Sequence, residues 1–281
     1  MSDSFKRTST LFLVFVKSWL DTSDREMIKF ITYSKHFIFS WPGNKRNEAE
    51  DFLKHADFEG IENIIEPFCG TAAISYHIWL KYGDKFNYYL NDNDTILFKL
   101  YELMKKETVE EIESKINDIM KKVETKEDWK EALKNKDVYH YIFFNKYSAM
   151  ARYGFCSLNW HNKRVFKITK VTENFINFIK QPYVNISNNN WFDLFDNYKD
   201  DKTALFIFDP PYINVENSFY IAPTLNIYQY FHDNPIENYK SHIYLVLESN
   251  WIIKLLFIKN SSGASEWRVY CVNKYKISIV L

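Results

Sequence analysis

The residues that stand out chemically are Asp209, Pro210, Pro211 and Tyr212, directly after the apolar run Ala204-Leu205-Phe206-Ile207-Phe208. Two successive prolines fix the backbone and remove two N–H donors. What remains is an acceptor-only surface, the Asp209 carboxylate and the Pro210 carbonyl. An exocyclic amino group has two N–H bonds to donate, and accepting both draws its lone pair out of conjugation with its ring. Tyr212 adds a flat face on which a planar base can stack. None of the four is an obvious covalent nucleophile. The pattern fits methylation of a planar amino group by direct displacement. The competing reading is a stiff turn that ends a strand, a task to which two prolines are also suited. Ligands of open α/β sheets bind beyond the carboxyl ends of strands, and the tetrapeptide lies at such an end.

Three other segments carry chemistry. Glu66-Pro67-Phe68-Cys69-Gly70 ends a short apolar strand, and a tight turn at Gly70 lets backbone approach a ligand beside a helix N-terminus. Asp92 ends the next strand, about 25 residues on, where an acid can accept bonds from ribose hydroxyls. From Val138 to Thr172 there is no acidic residue, while Lys146, Arg152, Lys163, Arg164, Lys167 and Lys170 are interleaved with Tyr139, Tyr141, Phe143, Phe144, Tyr147, Tyr153, Phe155, Trp160 and Phe166. Cations for phosphates and aromatic faces for stacking are what a nucleic-acid surface needs. A basic strand pair over core aromatics accounts for the same stretch, so both readings stand.

The elements that must position these groups follow from punctuation and periodicity. Residues 61–66 read as a strand running into Pro67. The run Ala72 to Leu80 suits a helix ending near Gly83, Phe86 to Leu90 a second strand, and Asp94 the start of a helix through Ile96, Leu97, Leu100 and Leu103. This β-α-β-α order argues for a parallel sheet with crossover helices. Thr108 and Glu111 form a capping box ahead of Ile112, Ile116, Ile119 and Val123, an amphipathic helix. Residues 129–150 suit one or two more helices. His161-Asn162-Lys163 fits the turn of a hairpin running into Arg164 to Ile168. Strands resume at Ala204 to Phe208, Tyr244 to Leu247 and Trp267 to Val272, with Lys276 to Leu281 completing a terminal hairpin. Asn188-Asn189-Asn190 and Lys199 to Lys202 read as loops.

Taken together, Asp209-Pro210-Pro211-Tyr212 after its strand resembles motif IV of the S-adenosylmethionine-dependent N6-adenine and N4-cytosine DNA methyltransferases. Glu66 to Gly70 resembles motif I of the Dam-like adenine class, Glu-Pro-Phe-x-Gly-x-Gly-Ser. Trp41-Pro42-Gly43-Asn44-Lys45 resembles its upstream Lys-Trp-x-Gly-Gly-Lys element, and Leu90-Asn91-Asp92 its acidic strand end. Ser249-Asn250 resembles the next motif in order. The resemblance implies a Rossmann-like α/β methyltransferase sheet over residues 33–95 and 180–281. It implies an inserted, mostly helical target-recognition region over 96–179, and leaves residues 1–32 as an extension of unassigned role. It further implies S-adenosylmethionine as cofactor, held by Trp41, Lys45, Glu66, Pro67, Phe68, Gly70, Asp92 and Asp209. Asp209, Pro210, Pro211 and Tyr212 would be catalytic. Lys146, Arg152, Tyr153, Asn159, Lys163, Arg164 and Lys167 would contact DNA, a duplex from which adenine is flipped. RNA adenine or cytosine N4 are the alternative targets, and a silent DNA-binding descendant the alternative role. The chain departs from the pattern at Ala72 and Ala73 for Gly and Ser of motif I. It departs again at Asn44 for the second upstream Gly, at Ser157 for an Arg of the recognition region, and at Trp191 where the family often has an acid.

Bulk properties bound the rest. Of 281 residues, Lys plus Arg number 36 and Asp plus Glu 36, which excludes a uniform polycation but leaves room for one basic face. Three cysteines without CxxC spacing argue against a disulfide framework and against a zinc site, so no metal is expected. The apolar run Thr10 to Val16 is closed by Lys17 and is too short to span a bilayer, so no membrane association is expected. A cytoplasmic or nucleoid/nuclear, non-secreted location follows as an expectation. Oligomeric state is not legible.

Overall fold

The computed structural model describes residues 36–38, 41, 45–147, 165–210, 227–234, 236–247, 268–273 and 276–280. Within them one mixed sheet has the order β3-β2-β1-β4-β5-β6-β7. Its strands are β1 (Asn63–Glu66), β2 (Asn87–Asn91), β3 (Val184–Ser187), β4 (Ala204–Phe208), β5 (His242–Leu247), β6 (Arg268–Asn273) and β7 (Lys276–Val280). The first five are parallel, and β6 and β7 form an antiparallel hairpin on the β5 edge. The Rossmann-like α/β class expected from the sequence is therefore present.

The strands are apolar because the sheet is covered on both faces. All five residues of β4 are buried. Alternation along the strands divides the core in two. Ile64, Leu205 and Ile207 join one cluster with Tyr76, Tyr88, Phe175 and Phe178, whereas Ile65, Phe206 and Phe208 join another with Trp191, Phe195 and Phe231. Among the helices lining the first cluster are α1 (Arg46–His55), α2 (Ala73–Tyr82), α3 (Thr95–Lys106) and, later in the chain, the helix Lys170–Ile179.

Between β2 and β3 the chain makes its long excursion through α3, α4 (Val109–Lys122), α5 (Lys126–Ala132), α6 (Val138–Tyr147) and α7 (Lys170–Ile179). Each start has its capping residue. Asp94 accepts from Ile96 N and Leu97 N at α3, the Thr108 and Glu111 box opens α4, and a second box of Thr125 and Asp128 opens α5. Trp129 packs edge-on against Phe144 at 4.7 Å and closes α5 onto α6. After β3 come α8 (Trp191–Tyr198), crossing to β4, and α9 (Ile227–Asp233), ahead of β5.

One expectation needs correction, and one strand was not expected. Residues 165–169 form no strand. Side chains of α4 occupy their backbone groups: Asn117 bonds both N and O of Phe166, at 2.8 and 3.1 Å, and Glu113 accepts from Ile168 N at 2.7 Å. A hairpin partner would need those same groups. The turn residues His161 to Arg164 lie outside the described residues. The segment 188–190 is a loop as expected, but β3 directly before it has no clear signal in the sequence. At four residues it is too short, and its burial too mixed, for alternation to be read.

Candidate active site

The strand order reverses between β1 and β4, so a crevice opens beyond their carboxyl ends. Glu66 ends β1, and Asp209 and Pro210 follow β4 across the crevice. Lys45, just ahead of α1, reaches in and pairs with Asp209 (Nζ to Oδ2 2.8 Å), the lysine 6% and the aspartate 18% exposed. A buried pair of this kind holds both partners in place, because removing either leaves the other charge uncompensated.

The loop from Glu66 into α2 is fastened group by group. Glu66 Oε1 accepts from Ser75 N at 2.6 Å in the first turn of α2. Asp92 Oδ2 accepts from Gly70 N at 2.9 Å, and its Oδ1 accepts from Asp94 N at 2.9 Å. Tyr101 donates to Gly70 O at 2.7 Å from α3. His36 donates Nε2–H to Thr71 O at 2.9 Å, and burial holds this imidazole neutral, down at about 3. Gly70 and Ala72 both have positive φ, +50° and +48°. Trp41 stands over Gly70, its indole 3.8 Å from where a Cβ would sit. The alanine that replaces the second motif glycine thus keeps a glycine-like backbone, and the turn survives the departure.

Electrostatics mark the same place. Burial pushes the Glu66 carboxyl up to about 7, with Asp209 adding repulsion. Burial likewise raises Asp92 to about 6, its two backbone N–H bonds pulling the other way and Asp94 and Asp209 adding repulsion. Three carboxyls at one crevice against the Lys45 cation make a site suited to a positively charged ligand.

Of the expected site residues, Trp41, Lys45, Glu66, Pro67, Phe68, Gly70, Asp92, Asp209 and Pro210 converge here. Phe68 is half-buried, its ring 6.1 Å from that of Trp191 and 6.3 Å from that of Phe208. Pro42, Gly43, Asn44, Pro211, Tyr212, Ser249 and Asn250 lie outside the described residues. So do Arg152, Tyr153, Asn159, Lys163 and Arg164. Lys146 is exposed on α6. Lys167 is exposed and pairs with Glu113 at 2.8 Å. Trp191, at the departure noted above, is buried at the start of α8 against Phe208 and Tyr230, and Asn190 beside it caps the helix by accepting from Phe192 N. Asn91, given no role of its own within the acidic strand end, and Tyr101 and His36 are further residues of the site. Adjacency to Asp92 was a usable signal for Asn91, whereas nothing local marks the other two.

Among the described residues no group of His, Cys, Asp or Glu is arranged to hold a metal ion, and no helix is long and apolar enough to cross a membrane. A family model described as D12 class N6 adenine-specific DNA methyltransferase matches residues 41–260. No curated protein matches the chain.

Proposed function

Because the chain belongs to the D12 class N6 adenine-specific DNA methyltransferase family, and is thus an adenine-specific DNA methyltransferase, we propose that it is Dam-like and uses S-adenosylmethionine on a flipped adenine of duplex DNA. The observation that carries this reading is the Lys45–Asp209 pair at the switch point, facing the Glu66–Gly70 loop.

The residues present fit the cofactor. S-adenosylmethionine, when bound, supplies an electrophilic methyl on a positively charged sulfur. Glu66, Asp92 and Asp209 offer the negative field that such a cation needs. Each Asp92 oxygen spends one lone pair on backbone N–H and retains another for a ribose hydroxyl. Trp41 and Phe68 supply apolar walls. The lack of a side chain at the half-buried Gly70 permits close approach.

Asp209 and the Pro210 carbonyl then receive the two amino hydrogens of the target adenine. Lys45 keeps the Asp209 carboxylate fixed while it does so. Accepting both hydrogens would localise the lone pair on the amino nitrogen, the cofactor would supply the methyl group it attacks, and the proton released would pass to solvent by way of the Asp209 carboxylate. Tyr212 would stack on the extruded base, whose removal from the helix costs a few kcal/mol. Orientation supplies much of the rate.

The catalytic body is proposed as 33–95 with 180–281, and recognition as the inserted part of 96–179. The DNA-gripping portion is proposed as the part of this region that holds the acid-free stretch 138–172, while Ile112, Trp129 and Phe143 anchor α4 to α6 in the same core cluster as α3 and α7. Lys146, Arg152, Tyr153, Asn159, Lys163, Arg164 and Lys167 are its proposed contacts. Incubation of DNA with labelled S-adenosylmethionine, followed by mass spectrometry of the nucleosides, tests the reading. N6-methyladenine is expected from duplex DNA. Asp209→Asn is expected to lower the rate by roughly a thousandfold or more. Full activity in that variant, or label found only in RNA or on cytosine, sinks it.

A further inference from the structure

Asn91 ends β2 one residue before Asp92 and is 1% exposed. Its amide has two donor and two acceptor positions, and all four are used. Nδ2 donates to Pro67 O and to Asn189 O, each at 3.0 Å. Oδ1 accepts from Ser187 Oγ at 2.7 Å and from Asn189 N at 2.9 Å. The side chain therefore reads both backbone groups of Asn189, as a neighbouring strand would, while also holding the loop after β1. Its own carbonyl accepts from Cys69 N at 2.8 Å. Next to it, Asn188 Nδ2 donates to Asp92 O at 2.7 Å.

We propose that Asn91 is the positioning residue of the cofactor site, tying the Pro67–Gly70 loop and the loop at Ser187–Asn190 into one unit around Asp92. The inference rests on the S-adenosylmethionine reading above. The run of three asparagines after β3 then has a task beyond being a loop. Asn189 is the rung gripped by Asn91, Asn188 fixes the Asp92 backbone, and Asn190 starts α8. With the hub intact, the loop after β1, the acid after β2 and the entrance to α8 keep one spacing. Without it, the buried Pro67 O is short of a partner, Asn189 loses both of its backbone partners on Asn91, and the two loops separate.

The hub's role is in binding and not in methyl transfer, so the kinetic signature is a split. Asn91→Asp keeps the shape but replaces both donors with an acceptor facing two carbonyls. Its dissociation constant and KM for S-adenosylmethionine are expected to rise about tenfold or more, with kcat at saturating cofactor within about threefold and KM for DNA unchanged. Ser187→Ala removes one of the four bonds and folds without a buried charge; a rise of about threefold is expected. Ile243→Ala, a core truncation in β5, controls for lost stability and should leave cofactor affinity within about twofold at a temperature where every variant is folded. Calorimetry with S-adenosylmethionine reads all four proteins. Failure of the wild-type chain to bind overturns the functional reading and this inference together. Wild-type binding with unaltered affinity in Asn91→Asp and Ser187→Ala overturns the inference alone. If Asn91→Asp does not fold, Ser187→Ala decides. A kcat loss at saturation as large as the KM change would assign Asn91 to the chemistry and overturn the positioning role.

Discussion

The loop around Gly70 and the helices α4 to α6 are both dense in side-chain hydrogen bonds, yet they hold shape in opposite ways. In the loop the partners are buried: Asn91, Tyr101, His36 and Glu66 each take a backbone group out of reach of water. In the helices most ion pairs are exposed, as in Lys121–Asp118, with 73% and 55% of the two side chains accessible, or Lys134–Glu131, at 71% each, Glu113 of α4 being a buried exception. Their order comes from apolar packing of Trp129, Phe143 and Phe144 beneath. A buried polar group left without its partner costs its full desolvation, whereas a surface pair contributes about 0–1 kcal/mol. The chemistry-bearing end therefore has little freedom in sequence. The face proposed to meet DNA can change its exterior residues while keeping its frame.

The sharpest way to break this contrast is at Lys45. Lys45→Met leaves Asp209 charged beside Glu66 and Asp92 with its cation gone, and we expect single-turnover methyl transfer to fall about a hundredfold or more. A near wild-type rate would mean that the pair is dispensable and that the site is not over-determined. The pH dependence comes next. Glu66 and Asp92 have folded pKa values raised to about 7 and about 6 by burial. Each favours the folded protein while protonated, and that contribution is lost as pH rises through about 6 and then about 7. Thermal melting without cofactor should show these two groups stabilising the protein at about pH 5 relative to pH 8, by on the order of 4 kcal/mol at most. Cofactor affinity should run the other way. An ionised Asp92 is the better acceptor for ribose hydroxyls and the better partner for a cation, so the melting shift on adding S-adenosylmethionine should be larger at the higher pH. A shift independent of pH would remove both acids from the binding site.

What the sequence made legible follows the same division. Asp209-Pro210, Glu66 to Gly70 and Asp92 carried their chemistry on short local motifs, and the sheet brings them to one crevice. The boundaries of α3 and α4 were readable because Asp94, Thr108 and Glu111 act on backbone within three residues of themselves. The task of Asn91 and the place of His36 are not local in sequence: Asn91 meets Asn189, and His36 stacks on Tyr76. The expectation of a hairpin near residue 165 failed for a related reason. Alternation in Arg164 to Ile168 reports one buried face, and Phe166 is indeed buried, but Glu113 and Asn117 cover the strand-like edge instead of a second strand. Trp191 was legible only as a departure; packing against Phe68 and Phe208 is what it does.

Smaller effects sharpen the comparison. Thr125→Ala removes the N-cap of α5 and should cost about 1 kcal/mol by chemical denaturation, with cofactor affinity unchanged. Ala72→Gly relieves a left-handed alanine worth about 1–2 kcal/mol and gives back about 0.8 kcal/mol of methyl burial, so a net gain of roughly 0.5 kcal/mol is expected. Its dissociation constant for S-adenosylmethionine should stay within about twofold, since the backbone is already glycine-like. A tenfold tightening would instead show the methyl group crowding the ligand.

The least effect is expected at Lys134→Ala. The pair with Glu131 lies on the surface at the end of α5, three residues apart, with both side chains free to trade the contact for water. Stability should move by less than about 0.5 kcal/mol and KM for cofactor not at all. DNA affinity is the informative measurement. If α5 lies in the phosphate field, losing one cation should weaken binding uniformly across sequences and lower the dependence on salt by about one counterion. If binding and its salt slope are unmoved, the gripping surface is confined to the acid-free stretch beyond Val138, and α5 is frame alone.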